Sequence, residues 1–174
     1  MHFVTNPNHR AEMFKALFHG TFAATELNEK RNLIGHLAFH LATNREAQRH
    51  AIVDNQEHLC ASAFTSPLYN ERGIHALLLA PVVVDPDYHK QVPARQLIES
   101  IIQEARDKGC DILITYGDPA LYGRFGFHVV VSDIVGPPYP LQYQQSWQAI
   151  MVTSRGSIST DYQCVKPLAN PQLW

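Results

Sequence analysis

With 45% hydrophobic and 17% charged residues, the 174-residue chain has the composition of a single globular domain, here taken to span residues 1–174, and not of a disordered or fibrous one. A formal charge of −2 leaves no clustered basic face for nucleic acid. No apolar run reaches the roughly 18 residues of a membrane span, and Met1 to Asn6 lack the basic and apolar regions of a signal peptide, so a soluble cytoplasmic protein, monomer or homodimer, is expected.

In chain order, Phe3–Thr5 reads as a short strand. Asn6-Pro7 reads as a helix start, with asparagine capping free amides and proline at the first helical position. Met13, Phe14, Leu17 and Phe18 recur at helical spacing, and Gly20 can end that helix. A second helix is expected from about Leu27 to Ala42, with Leu33, Leu37 and Leu41 on one face and Gly35 weakening its middle. Three strands follow, at about His50–Val53 (closed by Asp54-Asn55-Gln56), His58–Phe64 and Ile74–Val84. The last is apolar without alternation, as in a strand buried on both faces, and Pro81 inside it predicts a bulge. Pro93–Lys108 is the clearest helix, with Leu97, Ile98, Ile101, Ile102 and Ala105 on one stripe, Pro93 in the first turn and Gly109 at the stop. Asp111–Tyr116 reads as a second buried strand, and the strand–helix–strand order predicts a right-handed parallel crossover. Beyond Phe127 the pattern gives a short strand near Val129–Val131, a loop over Gly136–Pro140 and a late strand near Trp147–Thr153. Cys60, Cys110 and Cys164 are odd in number, far apart and outside any CxxC pattern, which predicts free thiols and no disulfide framework or cysteine-rich zinc site.

Two strand-to-helix junctions carry candidate chemistry. In the first, His89-Lys90-Gln91-Val92-Pro93-Ala94-Arg95 leads into a helix whose unpaired amides and partial positive charge suit a pyrophosphate, with Lys90 or Arg95 adding charge. Val92 is β-branched where close backbone approach is wanted, and Pro93 has no N–H to give. The competing reading of this turn is a plain helix start without a ligand. In the second junction, Gly117-Asp118-Pro119 is followed by Tyr122-Gly123-Arg124-Phe125-Gly126-Phe127. A phenol with an ordinary pKa near 10 can donate a proton to a thiolate; the alternative is a packed aromatic. Phe125 and Phe127 read as core, and Arg124 either reaches a phosphate or lies in solvent. His75, on the Ile74–Val84 strand, is a candidate general base by residue type, with Glu71, Asp118 or a water chain as alternatives. His36 and His40 stand i, i+4 on a helix but have no evident third ligand, and ten histidines make a chance pair easy, so no metal is expected.

These segments resemble the GNAT superfamily of acetyl-CoA-dependent N-acetyltransferases, in the branch with a DPxYYGRFGF-like segment; the specific part of the resemblance runs from Ile74 to His128. It implies an α/β fold with a mixed, splayed β-sheet flanked by helices. The splay lies between the Ile74–Val84 and Asp111–Tyr116 strands, where the pantetheine arm enters. It also implies transfer of an acetyl group from acetyl-CoA (coenzyme A) to a small-molecule or peptide amine by direct attack on the thioester. The family's pyrophosphate turn, Arg/Gln-x-x-Gly-x-Gly/Ala, falls with its first position on His89, its first glycine on Val92 and its last position on Ala94. Only Ala94 conforms, with Gln91 a common filler. The backbone of Val82, Val83 and Val84 is implied to hydrogen-bond the acetyl carbonyl and stabilise the oxyanion, and Tyr122 to protonate the departing thiolate. The Val92-Pro93 departure motivates the competing expectation of a catalytically degenerate GNAT-like binding or interaction module.

Overall fold

Phe14 and Phe18 sit one turn apart on α1 (Ala11–Thr21), and both are fully buried. Each packs its ring against Phe64 with centroids 5.6 Å apart. This triplet starts one hydrophobic core in the computed structural model of the chain. The structure describes residues 1–22, 28–88, 93–153 and 158–174, with 28 and 31 described by backbone alone. The chain divides into two compact units, residues 1–65 with 81–100 and residues 66–80 with 101–174.

In the first unit α2 (Asn28–Thr43) buries Leu37 and Leu41. The proposed start at Leu27 lies outside the described residues. Gly35 has a packing role. A Cβ there would stand 3.1 Å from the Cβ of His19 and 3.4 Å from the Lys15 carbonyl, so glycine lets α1 and α2 run close together. Strands β1 (His2–Thr5), β2 (Gln48–Val53) and β3 (Leu59–Tyr69) pair antiparallel in that order, with a register shift between Ile52 and Val53. Asn6 does not cap α1 as expected. It adopts φ 51, which asparagine tolerates, and its N–H donates to the Arg49 carbonyl at 2.7 Å while its Oδ1 accepts from the Arg49 N–H at 3.1 Å. The residue thus closes the β1–β2 ladder. The helix starts later, behind Arg10, which provides no side-chain cap.

A further ladder runs in the order β4 (Ala76–Val84, with residues 76–80 in the second unit and 81–84 in the first), β5 (Ile112–Tyr116), β7 (Trp147–Met151), β6 (His128–Val129). The β4–β5 pair is parallel, and the next two pairs are antiparallel. β8 (Gln163–Cys164) pairs with the end of β3 at Leu68 and Tyr69. α3 (Pro93–Asp107) connects the parallel strands, and the expected stripe of Leu97, Ile98, Ile101, Ile102 and Ala105 is buried throughout. Gly109 follows it at φ 68. Pro81 lies inside β4, which runs through it; the registered ladder with β5 ends at the Leu79–Thr115 pair. Among the described residues, eight strands and four α-helices make a mixed α/β fold. No described helix is long and apolar enough to cross a membrane.

Candidate active site

The β5–α4 junction in the second unit is built around one close contact. α4 (Pro119–Tyr122) is a single turn, started by Asp118, whose Oδ1 accepts from the Ala120 N–H at 2.8 Å, and by Pro119 at the first helical position. A 3-10 turn over Gly123–Phe125 follows, and the chain leaves it through Gly126 at φ 88. This short path turns the Tyr122 ring back onto Gly117. A Cβ at Gly117 would lie 2.4 Å from the Tyr122 Cε2, so nothing larger than glycine fits there without moving the tyrosine. Phe127 closes the other side, edge-on at 5.7 Å between centroids. Gly117 itself is fixed by its N–H donating to the Ser146 carbonyl at 2.9 Å and its carbonyl accepting from Gln148 Nε2 at 3.0 Å.

Tyr122 is 6% exposed. Burial pushes its phenol up to about 12, and a hydrogen bond with the Thr115 hydroxyl works in the opposite direction. Thr115 Oγ1 in turn donates to the Leu79 carbonyl at 2.9 Å, where the β4–β5 ladder ends. The phenol is therefore protonated throughout the neutral range. A protonated phenol in this place can donate a hydrogen bond, and then its proton, to charge developing on a leaving sulfur.

His75 stands elsewhere in this unit. Its Nδ1 is 3.2 Å from the Gly109 carbonyl, and its backbone N–H donates to Asp111 Oδ2 at 3.0 Å, both at the N-terminal end of β5. Tyr122 packs beyond the C-terminal end, so the strand separates the two by about 13 Å. The structure does not bring them together. Glu71 lies in the turn before β4, where its N–H donates to Asp161 Oδ2. Asp118 is near Tyr122 but serves as the α4 cap. Arg124 is exposed on the 3-10 turn. Among the described residues no group of three His, Cys, Asp or Glu side chains could hold a metal ion.

The β4–α3 junction belongs to the first unit. Val83 is buried, and Val82 and Val84 are half-buried at the end of β4. His89, Lys90, Gln91 and Val92 lie outside the described residues. Pro93 is the first residue of α3, so one amide is missing from the helix N-terminus, and Ala94 and Arg95 supply the next two. Arg95 Nε donates to Glu99 Oε1 at 2.8 Å, so part of its charge is already matched.

The approach to this junction holds a cluster that the sequence did not reveal. The Asp85 N–H donates to the Cys60 carbonyl, the Asp85 carboxylate accepts from the Asp87 N–H, and the Tyr88 hydroxyl donates to Asp54 Oδ2 at 2.9 Å. Asp54 also accepts from the backbone N–H groups of Gln56 and His58. The His58 N–H comes first among the causes that hold the Asp54 carboxyl down at about 2, while the Asp54 carboxylate drives Tyr88 up to about 12. Thr115 and the Asp54–Tyr88 pair were missed because each depends on a contact between distant segments, and Gly117 because the fold of the α4 turn brings the Tyr122 ring back onto it. The one local signal was a glycine directly before an Asp-Pro helix start.

β4, α3 and β5 thus form a βαβ unit with a buried tyrosine just past its second strand. Solved structures agree in fold. GNAT family N-acetyltransferase YhbS from Escherichia coli, in complex with CoA, superposes with a TM-score of 0.76 at 21% identity, covering 90% of this chain and 86% of that one. A GNAT family acetyltransferase from Brucella melitensis, in complex with acetyl-CoA, gives 0.64 at 16% identity, covering 94% and 93%. In sequence, the uncharacterized N-acetyltransferase YhbS of E. coli K12 is 43% identical over 51 residues, 29% of this chain and 30% of that protein. The uncharacterized N-acetyltransferase YjhQ of the same strain is 29% identical over 94 residues, 52% of each. The sequence matches thus span about a third to a half of these relatives. The family model described as acetyltransferase (GNAT) family matches residues 3–127, and the chain belongs to that family.

Proposed function

We propose that the protein transfers the acetyl group of acetyl-CoA to an amine by direct attack of the amine nitrogen on the thioester carbon. The C–N bond forms, the C–S bond breaks, the amine loses a proton to solvent or a base, and the sulfur gains one. The observation that carries this reading is Tyr122: buried, protonated and locked by Gly117 just past β5. In it Tyr122 stabilises and protonates the leaving sulfur. The backbone of Val82, Val83 and Val84 would hold the acetyl carbonyl, and the α3 N-terminus with Ala94, Arg95 and the preceding His89, Lys90, Gln91 and Val92 would take the pyrophosphate. Arg124, exposed beside Tyr122, would add charge for a phosphate. CoA and acetyl-CoA in the two structural neighbours support the choice of acyl donor. His75, held at Gly109, is left out of the mechanism; the proton leaves through water.

Thermal unfolding with acetyl-CoA, alongside an amine panel followed by thioester consumption, tests the reading. Ligand at about 100 times its dissociation constant should stabilise the protein by about 2.7 kcal/mol. No shift at millimolar ligand rejects it. Pro93, which removes an amide from the α3 N-terminus, favours a second reading, a domain that has lost its cofactor. Val92→Gly separates the two. A gain of about ten-fold or more in acetyl-CoA affinity marks a decayed turn, whereas little change marks one adapted to its valine.

A further inference from the structure

The second unit contains a groove of about 390 Å³ at the C-terminal end of β5, lined by Tyr116, Gly117, Asp118, Tyr143, Gln145 and Ser146 among others. That volume lies in the range of small-ligand sites, roughly 300–1,000 Å³. Its walls are tied together. The Tyr116 hydroxyl donates to the Trp174 carbonyl at 2.8 Å and accepts from the Tyr143 N–H at 3.0 Å, while Gly117 is fixed to Ser146. The Tyr116 ring is held by stacking on Trp174 at 6.4 Å. With its hydroxyl engaged at both ends, Tyr116 offers the groove chiefly its ring. Asp118 contributes a carboxylate with one oxygen capping α4, and among the described residues that line the groove none is Lys, Arg or His. A carboxylate beside two aromatic rings, with no cation among the described walls, is the chemistry that selects an organic ammonium with a hydrocarbon body.

We propose that this groove seats a cationic group of the acceptor, held by Asp118 and by the rings of Tyr116 and Tyr143. An ammonium beside a carboxylate keeps its proton, and a protonated amine has no lone pair for attack. The group in the groove is therefore not the one that is acetylated. Resting on the acetyl-transfer reading, the inference makes the acceptor a diamine, or an amine with a second fixed cation.

The test uses the full chain and two readouts. In the first, acetyl transfer to putrescine and cadaverine is compared with transfer to butylamine. The diamines should be preferred in kcat/KM by about five-fold or more. Asp118→Asn, which keeps an oxygen to cap α4, should bring the ratio down to near one. In the second, NMR without acetyl-CoA follows the backbone amides of Gly117, Tyr143 and Ser146. Putrescine should shift them and butyrate should not, and Tyr143→Ala should weaken the putrescine response several-fold. No response to putrescine, or an equal response to butyrate, overturns the groove assignment. Butylamine acetylated as well as putrescine overturns the second-cation acceptor while leaving acetyl transfer standing. Putrescine shifts without acetylation of any amine uphold the groove and overturn the acetyl-transfer reading.

Discussion

The β5–α4 and β4–α3 junctions are built from the same punctuation, a strand ending in Asp-Pro or Gly-Asp-Pro before a helix, yet they are fixed by different means. At β5–α4 the determinant is volume. Gly117 leaves room for one ring, Tyr122 fills it, and Asp118 and Pro119 set the helical turn that aims it. At β4–α3, where residues 89–92 lie outside the described residues, the feature to compare is the supply of backbone donors at the start of α3. It is reduced by Pro93 and approached through side-chain bonds from Asp54 and Asp85. A site fixed by volume fails when a methyl is added. A site fixed by donors changes gradually as single hydrogen bonds are lost or regained.

The largest effect is expected from Tyr122→Phe. The ring keeps its contacts with Gly117 and Phe127 and loses the hydroxyl and its bond to Thr115. Turnover should fall by about 100-fold or more, whereas stability changes by only about 1 kcal/mol. Steady-state kinetics beside thermal melts check both, and wild-type turnover removes Tyr122 from the chemistry. With the phenol at about 12, its ionisation contributes no basic limb to the rate profile at ordinary assay pH.

Gly117→Ala should be the next largest. Its methyl would fall 2.4 Å from Cε2 and 3.1 Å from Cδ2 of Tyr122, so the ring must swing away. Overpacking of this kind costs about 1–3 kcal/mol, and a displacement near 1 Å at a reacting group can cost up to about 100-fold in rate. If volume acts through the tyrosine, the alanine change should lower turnover in the native background and add little in the Tyr122→Phe background. Equal penalties in both backgrounds would show that Gly117 acts on something else.

How much of this was legible in the sequence follows the same division. The α3 stripe and the parallel β4–β5 pair rest on local periodicity and punctuation, and they appear where the sequence places them. Gly35 and Gly117 could be seen as glycines but not as contacts, because their partners His19 and Tyr122 are set by packing. Asn6 has the chemistry of a cap and of a left-handed turn residue alike, and pairing with Arg49 decided between them. His75 suited a base by residue type, but its place at the N-terminal end of the β5 ladder depends on register, which no local pattern encodes. The role proposed for Val82–Val84 would lie in backbone groups, and side-chain identity is silent about those.

The smallest effect, and the one that sharpens the donor side of the comparison, concerns Asp54 and Tyr88. The Asp54 carboxyl is lowered from 3.8 to about 2, with the His58 N–H the leading cause. A depressed acid contributes stability that is fully present above its unfolded value and lost as pH falls through the folded one. Tyr88, raised from 10 to about 12 chiefly by its bond to Asp54, contributes stability present below pH 10 and lost as pH rises through about 12. Asp54→Asn should therefore be less stable than the native chain at neutral pH, with the gap closing between about pH 4 and pH 2. Tyr88→Phe should leave that acid window mostly in place, because the backbone N–H groups of His58 and Gln56 still bind the carboxylate. Melting temperatures of both variants across this range check the assignment. If Tyr88→Phe flattens the acid window as fully as Asp54→Asn does, the tyrosine hydroxyl, and not the His58 amide, is the main support of the charge beside the β4–α3 junction.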